Sequence, residues 1–227
     1  MTSLCRLFFG YKLLLSSLIL CLSTPSFAAM VTYGFEKITN NNVEDISSQL
    51  TISIWDATEA NNTFSLALSA NEILFTVQND AVVASNVAEV YIDDGLLGPS
   101  VAVNSLGGFT NFSGGGANPG NLPGGNSVGF TATTSFSADV NPGPPSNGVN
   151  ESIDILGIVL GLGSFADFSA IVSAVENGDL KFGYHVRSIG SAGGSDSYVS
   201  TVVPVPAAAW LFLSAMAGLI GFKLQRQ

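Results

Sequence analysis

Apolar and polar side chains alternate in short runs over most of this chain. Leu50, Ile52 and Ile54 are separated by Thr51 and Ser53, and Phe64, Leu66 and Leu68 alternate with Ser65 and Ser69. The same period recurs at Ile73, Phe75 and Val77, at Ala88, Val90 and Ile92, at Val128, Phe130 and Ala132 with Phe136 beyond, at Phe182, Tyr184 and Val186, and from Tyr198 to Val202. A period of two is that of a strand with one buried face. Asn61-Asn62, Asn79-Asp80 and Asp93-Asp94-Gly95 separate these runs with turn-forming residues. Many short strands at this spacing predict an all-β fold, an antiparallel β-sandwich of jelly-roll-like type.

One segment departs from that period. Phe165, Phe168, Ile171, Val172 and Val175 recur at helical spacing, Ser164 stands where a cap belongs, and Asn177-Gly178 supplies a stop. The expectation is one short core-packing helix over 165–176. Gly107 to Gly125 and Asn141 to Asn150 are loops by their Gly, Asn and Pro content.

The two ends carry a different pattern. Arg6 and Lys12 precede an apolar run from Leu13 to Leu22, followed by Pro25, Ser26 and Ala28. This is the basic, apolar and small-residue order of a secretory signal peptide, with cleavage expected after Ala28 and the exported domain over 29–201. A lipoprotein is not expected, because Leu20 rather than a small residue precedes Cys21. At the other end Ala207 to Phe222 is uncharged, with Lys223 and Arg226 behind it. Sixteen helical residues reach roughly 24 Å, slightly less than the hydrocarbon core, so the span draws on 202–206 or on local thinning of the bilayer. Trp210 lies where an interfacial anchor belongs, and Lys223 and Arg226 lie where cytoplasmic charge belongs.

The order Val203-Pro204-Val205-Pro206, then Ala207-Ala208-Ala209-Trp210-Leu211-Phe212, a segment containing Gly218 and Gly221, and a short basic tail resembles the PEP-CTERM sorting signal of Gram-negative bacteria. The likeness covers the last 26 residues, 202–227. Val205 stands where the family has glutamate, and two separated cations replace the usual arginine cluster. The resemblance implies Sec-type export, a transient stay in the inner membrane, cleavage near Val203 to Pro206 by an exosortase-type transpeptidase, and delivery to the cell surface or the extracellular polysaccharide matrix. Chain stiffness fits that role. Two prolines fix φ and remove N–H donors, so residues 203–206 stay extended above the span and suit a protease groove.

Composition sharpens once the ends are set apart. The whole chain is 11% charged with a formal net charge of -10, yet both cysteines, Cys5 and Cys21, and four of the seven basic residues lie in the end segments. The exported part has only Lys37, Lys181 and Arg187 against all 17 acidic residues, a formal balance of -14. It forms no disulfide and repels nucleic acid, anionic lipid and its own copies at low salt.

Candidate chemistry is sparse. His185, the single histidine, alternates onto one face with Lys181 and Arg187, opposite Phe182, Tyr184 and Val186. With no second histidine or mature cysteine, zinc is not expected. A Ser-His-Asp arrangement is arithmetically available, but no nucleophile elbow singles out a serine. Asp93 and Asp94 with the Gly95 carbonyl are the candidate calcium ligands, against the plainer reading of solvated turn acids. Trp55 is the candidate platform for a sugar if its face is open, and packs if both strand faces are covered, which is the expected arrangement. Glycoside hydrolysis requires two carboxylates facing one cleft. Neighbouring acids on one strand do not provide that. The Val90–Asp94, Asn121–Gly125 and Gly183–Val186 segments are also similar to segments of exported PEP-CTERM proteins of unknown function, which implies a shared domain and no chemistry. The sequence therefore predicts a non-enzymatic exported protein without a required cofactor, with a carbohydrate-binding or calcium-stabilised matrix module as the alternative and a secreted hydrolase third.

Overall fold

The computed structural model describes residues 30–138 and 147–201. The expected signal peptide with its cleavage after Ala28, and the expected sorting tail with Val203, Pro204, Val205, Pro206, Trp210, Lys223 and Arg226, lie outside the described residues. Ten strands are β1 (Met30–Lys37), β2 (Leu50–Trp55), β3 (Glu72–Asn79), β4 (Asn86–Asp93), β5 (Ser100–Gly107), β6 (Phe112–Gly114), β7 (Thr134–Ala138), β8 (Ile155–Gly161), β9 (Lys181–Ile189) and β10 (Gly194–Thr201). Two helices, α1 (Ala57–Phe64) and α2 (Phe168–Asn177), complete them. All pairings are antiparallel, in the order β5-β8-β3-β2-β1-β10-β9-β4-β7-β6. The result is one continuous sheet, a nearly closed barrel. Strand β1 joins its halves, since Met30 to Tyr33 pair with β2 and Gly34 to Lys37 pair with β10.

The interior is built largely as the alternation predicts, except that in β4 a bulge between Val87 and Glu89 puts Val87 rather than Ala88 in the core with Val90 and Ile92. Ile52, Ile54, Ile73, Phe75 and Val77 from one half meet Val90, Ile92, Phe182, Tyr184 and Val186 from the other in one buried cluster. The Phe75 and Phe182 rings lie 5.3 Å apart, and Phe35 stacks on Tyr184 at 4.0 Å. Both outer faces are partly covered too. Leu74 and Val159 pack with Ala60 of α1 and with Trp55, Phe64, Leu66 and Leu68, while Tyr91 and Val199 pack beneath Leu122 and Phe130 of the 115–133 loop. Glycine permits each close approach. A Cβ on Gly157 would meet Leu106 Cδ1 at 2.5 Å, and one on Gly183 would meet Leu122 Cδ2 at 2.7 Å.

Several local expectations change. The helix read over 165–176 is Phe168–Asn177, capped by Asp167 accepting from the Ala170 N–H at 3.0 Å rather than by Ser164, and it ends at left-handed Gly178 as read. A second helix occupies 57–64, where the Phe64-Leu66-Leu68 alternation predicts a strand. Asp56 accepts from the Glu59 N–H at 2.8 Å, Ser65 ends the helix at φ 55°, and residues 65–69 then run irregularly with Leu66 and Leu68 against the sheet. Val128 belongs to a 3-10 turn, Gly125–Val128, and pairing begins only at Thr134. Within the glycine-rich stretch read as loop, Phe112–Gly114 is a strand.

Because every strand reverses its predecessor, the barrel has two distinct poles. Met30, Asp93, Gly161, Lys181 and Thr201 mark one, which we call the entry pole. The opposite, distal pole carries the β1–β2, β3–β4, β5–β6, β7–β8 and β9–β10 connections. Helix α2 crosses the entry pole from β8 to β9 and buries Ile171, Ala174 and Val175 in the main core.

Candidate functional site

Each of the three cations of the described domain has an intramolecular partner. Lys37, at the distal end of β1, lies 2.9 Å from Asp196 Oδ2 and also donates to the carbonyls of Asn42 at 2.6 Å and Glu44 at 3.0 Å. Arg187 binds Glu89 Oε1, and Lys181 donates to the Gly129 carbonyl at 3.0 Å. Apart from the buried Glu89, Asp154 and Asp196, the acids of the described domain are at least partly exposed, so most of the negative balance read from composition lies at the exterior.

Asp196 organises the largest polar cluster. Its side chain is fully buried, and it accepts from Thr39 Oγ1 at 2.7 Å and from the N–H groups of Asn41 and Asn42 at 2.8 and 3.0 Å. Burial pushes the carboxyl up, but the Asn41 N–H, the Lys37 ammonium and the Thr39 hydroxyl outweigh it, and the net position is below the usual carboxylate value. Three oxygens, from Asp196, Asn42 and Glu44, converge on Lys37 Nζ and hold the 39–45 loop against the β9–β10 turn. Neither Lys37 nor Asp196 is legible as a pair in the sequence, because pairing of the first and last strands brings them together.

His185 lies on the outer face with Lys181 and Arg187, as its alternation predicts, but it is largely covered rather than solvated. Its Nδ1 is 2.8 Å from Glu89 Oε2. Glu89 is not among the site residues to which the sequence points; its one local mark is that of a lone acid inside the apolar run Val87 to Ile92. Register places Glu89 opposite His185, and His185 opposite Ser197, so acid, imidazole and hydroxyl stand in a row across three strands. The row does not amount to a nucleophilic site. Ser197 Oγ is buried and bonded to nothing, while its backbone is fastened by Thr39 Oγ1 and the Ile38 N–H. A nucleophile needs both a base within reach and an open approach.

The remaining candidates have structural partners. Asp93 Oδ2 accepts from the Thr131 N–H at 2.9 Å, and Asp94 Oδ1 accepts from the N–H groups of Leu96 and of Leu97, the latter at 2.7 Å. These carboxylates hold two loops at the entry pole. Among the described residues no group of three or more His, Cys, Asp or Glu side chains is arranged to hold a metal. Trp55 is half-buried; its Nε1–H donates to Thr76 Oγ1 at 2.9 Å and its ring meets Phe64 edge-on at 5.1 Å. Helix α1 thus covers the face that the alternation of β2 left open to either reading.

The described surface has shallow clefts of about 220 to 310 Å³. One of about 310 Å³ runs between the end of α2 and strands β1, β9 and β10, lined by Glu36, Glu176, Asn177, Lys181 and Val199. Glu176 also acts on the interior: burial, with this neighbouring charge, pushes the Tyr33 hydroxyl up to about 12. Among the described residues no helix is long and apolar enough to cross a membrane. No protein-family model, no curated protein and no solved structure matches the chain.

Proposed function

We propose that the chain is an exported, non-enzymatic protein of the cell surface or extracellular matrix, delivered by a PEP-CTERM-type tail that an exosortase-like transpeptidase cleaves. The carrying observation is the tail itself: Val203 to Pro206, the uncharged run with Trp210, then Lys223 and Arg226. The fold is consistent with such a route. Met30 and Thr201 leave the sheet toward the same pole, so a leader and an anchor attach on one side and the distal pole faces away. In finer terms we read the nearly closed sheet as a jelly-roll-like sandwich whose two halves share β1. Placement rather than chemistry also suits a domain whose cations each have an intramolecular partner and whose His185 neighbour Ser197 is sealed.

Replacing Pro204 and Pro206 with Ala tests the sorting reading in cells with and without the transpeptidase. A longer, membrane-retained species is expected for the variant and for the cells lacking the enzyme. Unchanged mass and location in both would refute it. The second reading, a carbohydrate-binding matrix module, draws on the cleft of Glu36, Glu176 and Asn177, which offers hydrogen-bonding groups at a concave surface. Glycan-array binding lost in the E36Q/E176Q variant would favour it over a purely placed protein.

A further inference from the structure

The four most exposed large apolar side chains of the described domain all lie at the distal pole. Val43 is 100% exposed, Val82 83%, Ile153 66% and Phe109 60%, whereas Val101, Leu96, Val128 and Met30 elsewhere range from 53% down to 38%. They belong to four different connections: β1–β2, β3–β4, β7–β8 and β5–β6. Those connections touch one another. Ser152 Oγ donates to the Asp80 carbonyl at 2.7 Å, the Gly190 N–H donates to the Ala84 carbonyl at 2.7 Å, and a Cβ on Gly190 would overlap the Glu44 carboxylate.

The backbone at or next to each of these residues is bonded to a polar side chain of the fold. The Phe109 N–H donates to Asp154 Oδ1 at 2.9 Å, and Ile153 directly precedes that 3% exposed aspartate. Val82 precedes Val83, whose N–H donates to Gln49 Oε1 at 3.0 Å, and Gln49 in turn donates to Asn79 and Ser85. Val43 lies between Asn42, whose N–H donates to Asp196 Oδ2, and Glu44, whose N–H donates to Asn42 Oδ1 at 3.1 Å. Apolar tips on loose loops would fold back onto the barrel. Here directional bonds fix the loop backbones that carry them, which lowers the ordering cost of association at an exposed apolar surface.

The charge around them selects the partner. Asp45, Asp80 and Glu151 are exposed between the apolar tips, and the nearby cations Lys37 and Arg187 are occupied by Asp196 and Glu89. We infer that the distal pole is a preorganised docking surface for a protein partner that presents apolar side chains ringed by Lys or Arg. An anionic bilayer and a second copy of this acidic chain are both disfavoured by that rim. The inference goes beyond the sorting reading and does not depend on whether the tail is cleaved.

The test uses the protein as isolated from its producing cells and, as probe, an amphipathic Leu/Lys peptide of roughly 18 residues, about five helical turns, beside its Leu/Glu counterpart. Tighter binding of the basic peptide, weakened by added salt, is expected. A V43S/V82S/F109S/I153S variant should bind at least about tenfold more weakly with an unchanged melting temperature, and F109S/I153S alone should lose part of that. A control variant, L96S/V128S, should bind as the parent does. Equal binding of both peptides, or a distal variant within about twofold of the parent, would overturn the inference. So would association with phosphatidylcholine or phosphatidylglycerol vesicles, or self-association by sedimentation, that the four serine substitutions abolish, because the occupant would then be lipid or a second copy.

Discussion

At the entry pole the barrel is closed by apolar side chains, with Ile171, Ala174 and Val175 of α2 packed into the core and Phe165, Phe168 and Leu162 against them. At the distal pole, above the buried Ile46, Val149 and Ile189, the closure adds charged and amide groups: Lys37 with Asp196, Gln49 with Asn79 and Ser85, and Asp154 with the N–H groups of Phe109, Asn150 and Glu151. Apolar closure is non-directional, and a helix can settle into it with little regard for where each atom points. Polar closure is directional. It fixes loop backbones residue by residue, and it makes the stability of that pole depend on protonation.

The largest effect separating the poles is expected at Asp196. D196N leaves the Lys37 ammonium buried without its counter-charge, a change that costs about 3–5 kcal/mol in comparable buried pairs. The pH dependence follows from the sign of the shift. The folded carboxyl is held below its ordinary value, so its stabilisation is complete above an unfolded value of about 3.9 and is lost as pH falls through the lower folded value. Urea unfolding of the parent should therefore weaken on the acid side in a way that D196N does not reproduce. Replacing both partners, as in K37M/D196L, should restore part of the loss. Parent and D196N curves that run parallel through acid would break the comparison.

The matching change at the entry pole is I171A. Ile171 is fully buried, and truncation there should cost roughly 3 kcal/mol by lost burial and residual cavity. Its acid-side slope should equal that of the parent, because no titrating group faces a change of partner. Hydrogen exchange separates the two variants by location: I171A should expose amides of α2 and the start of β9, while D196N should expose those of residues 39–42. A single pattern shared by both would mean that the poles open as one unit.

What was legible in the sequence follows the same division. The apolar interior of β2, β3 and β9 was readable because each strand declares its own inward face every second residue, whereas in β4 a bulge between Val87 and Glu89 breaks that period. Helix α2 was readable because its period and its Asn177-Gly178 stop are local. Strand β8 escaped, since Leu156, Ile158 and Leu160 face inward while Val159 packs beneath α1, which erases the alternation. The polar pins escaped for a different reason. Glu89 and His185 are 96 positions apart and Thr39 and Asp196 are 157 apart, so strand order brings them together rather than any local pattern. The face of His185 could be read, but not its partner.

The smallest expected effect sharpens the comparison at α1, whose start was present in the sequence as Asp56 three residues before Glu59 and was overridden by the strand-like alternation of Phe64, Leu66 and Leu68. An isolated helix of eight residues does not persist in water, so α1 depends on its cap and on the Ala60 and Phe64 contacts with the outer face. D56A removes the acceptor for the Glu59 N–H and should cost about 1 kcal/mol. The loss should appear at Trp55, because the Phe64 ring that meets it edge-on is carried by the last turn of α1. Its fluorescence, read in a background with Trp210 replaced by Phe, should shift toward that of a more solvated indole well before global unfolding. The core and the distal loops should keep their hydrogen-exchange protection. A D56A variant that instead exposes residues 39–42 would show that the covered outer face and the distal pole are coupled, and that closure at the two ends is not independent.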